Sequence, residues 1–171
     1  AEMEAPRLVV LNRLDRERAS LSRALDSLRG VFGRTVIPIQ IPIGEEKDFR
    51  GVVDLVAMKG WTFAGDGSGK PSEGTIPADL QSAAQAARDA LIEMVAEADD
   101  ALMEKFFESG TLTQDELVEG LKRGVAAGRI FPLVCTSATA NIGMQPLLDA
   151  IVNYVPSPAE RPFTATAKGS E

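Results

Sequence analysis

The chain has 171 residues, 44% hydrophobic and 25% charged, long enough for one core or one core plus a satellite. A net charge of −7 with no basic stripe argues against an extended nucleic-acid-binding surface, and the absence of His removes the commonest general base and metal ligand. The longest apolar runs fall far below the ~20 residues that cross a bilayer, no signal peptide is visible, and the single Cys135 permits no intramolecular disulfide, so the cytoplasm is the expected compartment.

Ala1 to Pro6 reads as a lead-in without an initiator Met, as in a piece cut from something longer. Leu8 to Leu11 then run straight into Asn12-Arg13-Leu14-Asp15. A short apolar run delivering a polar pair at its carboxyl end is the pattern of a buried parallel strand, and ligands in open α/β sheets bind at that end. Asn-x-x-Asp after a strand is also a common turn or helix N-cap. Its chemistry nevertheless suits a guanine edge, because a carboxylate accepts two N–H donors while the amide offers a donor and an acceptor.

Leu21, Leu25, Leu28 and Phe32 recur at helical spacing, predicting a helix over 19–32 stopped by Gly33. From Val36 to Ile43 the period changes to two, and Pro38 and Pro42 place this strand at an edge or bulge. Phe49 to Leu55 and Val56 to Phe63 predict two further strands in a small antiparallel sheet. Gly65-Asp66-Gly67-Ser68-Gly69-Lys70-Pro71 only superficially resembles a phosphate-binding loop, since Ala64 stands where a Gly is needed and Pro71 where Ser or Thr is needed. It is read as a flexible hairpin tip or loop.

Three helices follow. Pro77 opens one to about Ala98 with Leu80, Ala84, Ala87, Leu91 and Met94 or Val95 on one face. Asp99 caps a second, carrying Leu102, Met103, Phe106 and Phe107 toward a core and ending at Gly110. Thr113 to Glu116 forms a capping box for a third, with Leu117, Leu121 and Val125 inward and Gly128 as its stop. Ile130 to Thr136 returns to a buried-strand pattern, in which Cys135 serves as a small hydrophobe. This strand ends in Ser137-Ala138-Thr139, which by itself is a simple Ser/Thr turn. Met144 to Tyr154 is the last helix, with Leu147, Leu148, Ile151 and Val155 inward, broken by Pro156-Ser157-Pro158.

A βαβ unit takes roughly 30 residues, yet Asp15 and Ser137 lie several times farther apart. Something is inserted. The expected organisation is α/β: residues 1–35 and 129–158 form part of a parallel-sheet domain, 36–128 an inserted α+β subdomain of a small antiparallel sheet and three helices, and 159–171 a linker.

Asn12-Arg13-Leu14-Asp15 resembles the Asn-Lys-x-Asp motif of GTPases, with Arg13 in place of Lys. Gly51-Val52-Val53-Asp54-Leu55-Val56, Ile76-Pro77-Ala78-Asp79, Leu102-Met103-Glu104-Lys105 and Val155-Pro156-Ser157-Pro158 fall in the order and spacing of elongation factor G and its near relatives. That family carries an insert at this place, where most GTPases have none. The resemblance implies the C-terminal part of a P-loop GTPase domain in which Asn12, Arg13 and Asp15 read guanine and Ser137, Ala138 and Thr139 support the base through the backbone. It implies GTP or GDP as ligand of the intact parent, with Mg held through a half that precedes the motif. Weak or no nucleotide binding by this piece, and no hydrolysis, follow from it.

The resemblance also implies a ribosomal partner, the insert facing the stalk protein, and a bare strand edge where the preceding half would pair, inviting self-association. The two turns are expected side by side, with the insert bulging from the opposite flank. A ribosome recycling or protection factor, and a non-catalytic module docking on the ribosome stalk, fit the same residues. A small unrelated α/β enzyme is the remaining reading, but no nucleophile and base stand in a recognisable constellation.

Overall fold

A computed structural model describes residues 5–160. Residues 1–4 of the lead-in and 161–171 of the expected linker lie outside the described residues. The elements in chain order are β1 (Val9–Leu11), α1 (Leu21–Phe32), β2 (Val36–Pro38), β3 (Gln40–Ile43), β4 (Gly51–Asp54), β5 (Lys59–Phe63), β6 (Pro71–Gly74), α2 (Gln81–Glu97), α3 (Asp100–Ser109), α4 (Gln114–Ala126), β7 (Phe131–Cys135) and α5 (Met144–Tyr154). Three strands form a parallel sheet in the order β1-β7-β2, and four form an antiparallel sheet in the order β3-β4-β5-β6. The α/β class with a second, antiparallel sheet is therefore as the patterning implies.

One continuous strand from Val36 to Ile43 is not what forms. The segment breaks at Ile39, whose N–H donates to Leu133 O of the parallel sheet at 3.0 Å while its carbonyl accepts from Leu55 N, beyond β4, at 3.0 Å. Ile39 thus divides its two backbone groups between two sheets. Beyond it, the buried Gln40 side chain accepts from Cys135 N at 3.2 Å, satisfying a β7 donor that the departing strand has abandoned. Both halves lie at sheet edges, where Pro38 and Pro42 lack no needed ladder N–H.

The side chains of both sheets alternate between the same two apolar clusters. Val36, Val52, Phe63, Phe131, Leu133 and Cys135 share one with Leu14 and Phe49. Ile37, Ile41, Val53 and Val134 share the other with Leu91, Val95, Leu117, Leu121 and Val125 of the helices. Period-two alternation in each strand sends neighbours to opposite faces. The antiparallel sheet is thus continuous in packing with the parallel one rather than a satellite.

Local rules set the helices well. Asp99 caps α3 by accepting from Ala101 N and Leu102 N, Gly110 closes it in a left-handed turn, and Thr113 and Glu116 form the reciprocal capping box of α4. Two expectations are corrected. Phe107 is 78% exposed, because Leu102 and the half-buried Phe106 take the inward face of α3. In α5 the buried positions are Pro146 and Ala150, whose small size lets the helix approach the core, so Leu148 and Ile151 turn outward. The stretch from Gly65 is a hairpin tip, as expected, and what the patterning did not announce is its second arm, β6, which begins at Pro71 and pairs with β5 although Pro-Ser-Glu-Gly has no apolar residue to mark a strand. Among the described residues no helix is long and apolar enough to cross a membrane.

Candidate functional site

The parallel pairing of Leu11 with Cys135 brings the carboxyl ends of β1 and β7 together, and the ladder continues into the turns. Thr136 N donates to Leu11 O at 2.9 Å and Leu14 N donates to Thr136 O at 3.2 Å. The turn at Asn12–Asp15 therefore lies beside the turn at Ser137–Thr139, as adjacent parallel strands require.

Asn12 is the staple between them. Its Oδ1 accepts from Arg13 N at 2.8 Å within its own turn and from Ala138 N at 3.0 Å across the gap. The Thr136 hydroxyl donates to the same oxygen at 3.4 Å. The Ala138 N–H is thus engaged by Asn12, and the exposed Ala138 and Thr139 form the outer surface of the second turn. Ser137 is fully buried: its N–H donates to Ile142 O, its carbonyl accepts from Ile142 N, and its Oγ accepts from Ala140 N at 3.3 Å. Gly143 closes this loop with φ 77°, and a Cβ there would sit 2.5 Å from Cys135 O, so only glycine fits at the entry to α5.

Arg13 is exposed and holds φ 65°, a left-handed conformation that a non-glycine residue adopts at a cost. It lets the chain turn sharply enough to bury Leu14, 1% exposed, immediately before Asp15. Asp15 is half-buried, and its Oδ1 is fully covered with no hydrogen-bond partner. Covered carboxylate oxygens are ordinarily paired, since desolvation without a donor is costly. In Asp15 that oxygen is turned inward and stays unpaired, while the residue as a whole keeps part of its surface open to solvent.

Sequence reasoning missed what surrounds the turns. Leu14 packs in the cluster of Phe49, Val52 and Phe63. Glu46 Oε1 accepts from Arg18 N at 2.9 Å, and Asn141 Nδ2 donates to Gly67 O at 3.2 Å. Loops of the antiparallel sheet therefore touch both turns, which corrects the expectation that the insert bulges from the opposite flank. The one sequence signal was an apolar residue, Leu14, in the middle of an otherwise polar turn.

The sequence matches the elongation factor Tu GTP binding domain family over residues 1–157. The chain belongs to that family. A crystal structure from Thermus thermophilus is similar, with a TM-score of 0.80 and 29% sequence identity over 91% of this chain. The matched part is 23% of the Thermus chain, so this chain spans less than a quarter of that relative's length. As a member of the elongation factor Tu GTP binding domain family, this is a GTP-binding domain of the elongation-factor type.

Proposed function

We propose that this chain reads the guanine base for a translational GTPase of the elongation factor G type. The observation that carries the reading is the joining of the Asn12–Asp15 and Ser137–Thr139 turns at the carboxyl ends of two adjacent parallel strands, through Asn12 Oδ1 and Ala138 N at 3.0 Å. In this reading Asp15 accepts from the two adjacent N–H groups of guanine, while Asn12 locks the turns in register. Arg13 lies along the base, and Ala138 and Thr139 supply the surface that faces its carbonyl, held in place from beneath by the buried Ser137. Phosphates and magnesium are held by other segments of the longer protein, where hydrolysis takes place. Binding by the 171 residues alone is therefore weak, because phosphate contacts supply most nucleotide affinity in such proteins.

Of residues 36–128, expected as the insert, Val36–Pro38 stay in the parallel sheet as β2, and the inserted subdomain runs on from the crossing point at Ile39, with α2 to α4 facing the ribosome stalk; a groove lined by Ala90, Ile92, Glu93 and Phe106, with Phe107 bare nearby, supports a docking role. The compartment is the cytoplasm. The outer side of β1, which pairs only with β7 among the described residues and leaves Val10 41% exposed, takes a further strand of the longer protein. A chain lacking that strand self-associates through this edge, which light scattering across a concentration series reads directly.

The deciding experiment is a base swap. Asp15→Asn exchanges an acceptor for a donor on one atom and favours xanthine, whose additional carbonyl accepts from the new amide. Titration with guanosine and xanthosine diphosphates should show the preference reversed. An unchanged preference removes Asp15 from the site.

A further inference from the structure

The antiparallel sheet grips the base-reading turns from two sides. On one side Leu14 is held in the apolar cluster of Phe49, Val52 and Phe63, and Glu46 accepts from Arg18 N at 2.9 Å. On the other, the hairpin tip between β5 and β6 meets Asn141, whose Nδ2 donates to Gly67 O at 3.2 Å. The fit at the tip is close: Gly69 has φ 68°, and a Cβ there would collide with the Asn141 side-chain amide. Four residues at or next to these contacts, Arg13, Arg18, Glu46 and Asn141, hold left-handed backbone conformations at φ between 52° and 65°. Conformations of that kind persist when the surroundings over-determine them.

We propose that the antiparallel sheet is a clamp that sets the geometry of the base site, with Glu46, Phe49 and the Gly67–Gly69 tip as positioning residues and Leu14 and Asn141 as the points gripped. Leu14 is covalently between Arg13 and Asp15. Neither can shift without drawing Leu14 out of an apolar cluster, so the Asp15 carboxylate is held where a base meets it. Asn141 lies in the loop closed by the two Ser137–Ile142 hydrogen bonds, so the tip fixes the surface of Ser137, Ala138 and Thr139 in the same way. None of the gripping residues touches the base. They act on specificity through the turns, and the inference rests on the guanine reading above.

The test uses the isotope-labelled 171-residue chain, titrated with GDP and with ADP at up to millimolar concentration and read at the Leu14 and Ala138 amides. Glu46→Ala and Asn141→Gly should each weaken GDP by about tenfold, the worth of one lost hydrogen bond, and lower the GDP-to-ADP preference. Glu46→Gln keeps the accepting oxygen and should restore both. Hydrogen exchange without nucleotide provides a second readout, with the Leu14 and Ile142 amides exchanging about tenfold faster in Glu46→Ala and Asn141→Gly, respectively, while the amides of α2 to α4 are unchanged. Wild-type preference for GDP that survives in both variants, with unaltered exchange, overturns the clamp and leaves the guanine reading standing. No wild-type preference, with exchange accelerated as expected, overturns the guanine reading, and with it the clamp's role in specificity.

Discussion

Helices α2 to α4 and the loops around the two turns are built from opposite materials. The helices obey the local rules: Asp99 and Thr113 cap them, Gly110 ends one in the conformation glycine prefers, and no non-glycine residue in them has positive φ. Of the five non-glycine residues with positive φ among the described residues, Arg13, Arg18, Glu46 and Asn141 surround the site, where Asp15 Oδ1 is also left unpaired. In the proposed reading, strain and unsatisfied polarity concentrate where the base is met, as is common at functional sites. The helices give the stability that the loops consume.

The largest test of that division compares two buried leucines. Leu121→Ala in α4 and Leu14→Ala in the first turn remove side chains that are 0% and 1% exposed, and each should cost about 2–5 kcal/mol in urea denaturation. Their functional consequences should differ. Leu121→Ala leaves the guanine preference of the remaining folded protein intact, whereas Leu14→Ala abolishes it. Equal loss of preference in both variants would mean that the helices and the loops are one unit.

Next in size is a cap. Asp99→Ala removes the acceptor for Ala101 N and Leu102 N and the 3.0 Å ion pair with Arg123, and should lower stability by about 1 kcal/mol in thermal or urea unfolding. Nucleotide response at the Leu14 amide should not change.

The same contrast decides how much was legible beforehand. The caps, the glycine stops and the span of α5 rest on residues within one turn of each other, so they can be read along the chain. The meeting of Asn12–Asp15 with Ser137–Thr139 follows from parallel pairing, which is a general rule rather than a local one. The break at Ile39 has no local signal, since apolar alternation runs unbroken from β2 into β3 and only the partner strand changes. β6 is set by its pairing with β5, not by its own side chains. The outward turn of Leu148 and Ile151 depends on Pro146 and Ala150 fitting closely against the core. The grip on Leu14 joins residues far apart in sequence, and periodicity carries nothing about it.

Acidic pH should separate two carboxyls of opposite sign. Burial holds Asp54 above its ordinary value, although Val56 N, Ala57 N and Arg88 pull it down. Its proton is bound more tightly folded than unfolded, so this contribution to stability is full below pH 3.8 and is lost as pH rises through the raised value. Glu116 is pushed down to about 2 by the Lys105 ammonium and by the Thr113 N–H and hydroxyl. Its contribution is full above pH 4.5 and is lost as pH falls through about 2. Melting temperatures across this acid range should therefore lose their decline on the rising side in Asp54→Asn and part of their decline on the acid side in Glu116→Gln. The same slopes in wild type and variants would reject both assignments.

The smallest expected stability effect is the most discriminating. Arg13 sits at φ 65°, and glycine there relieves a left-handed strain of about 1 kcal/mol while raising the entropy of the unfolded chain by a similar amount. The two terms oppose each other, so Arg13→Gly should change unfolding stability by less than about 0.5 kcal/mol. Its backbone N–H still donates to Asn12 Oδ1, so the staple between the turns survives. What is lost is the side chain that lies along the base in the proposed reading. Guanine nucleotide affinity should fall several-fold, measured at the Ala138 amide, with the melting temperature nearly fixed. A stabilised variant that binds as well as wild type would show that the strain at residue 13 serves the path of the turn alone, leaving Asp15 to read the base without help from its neighbour.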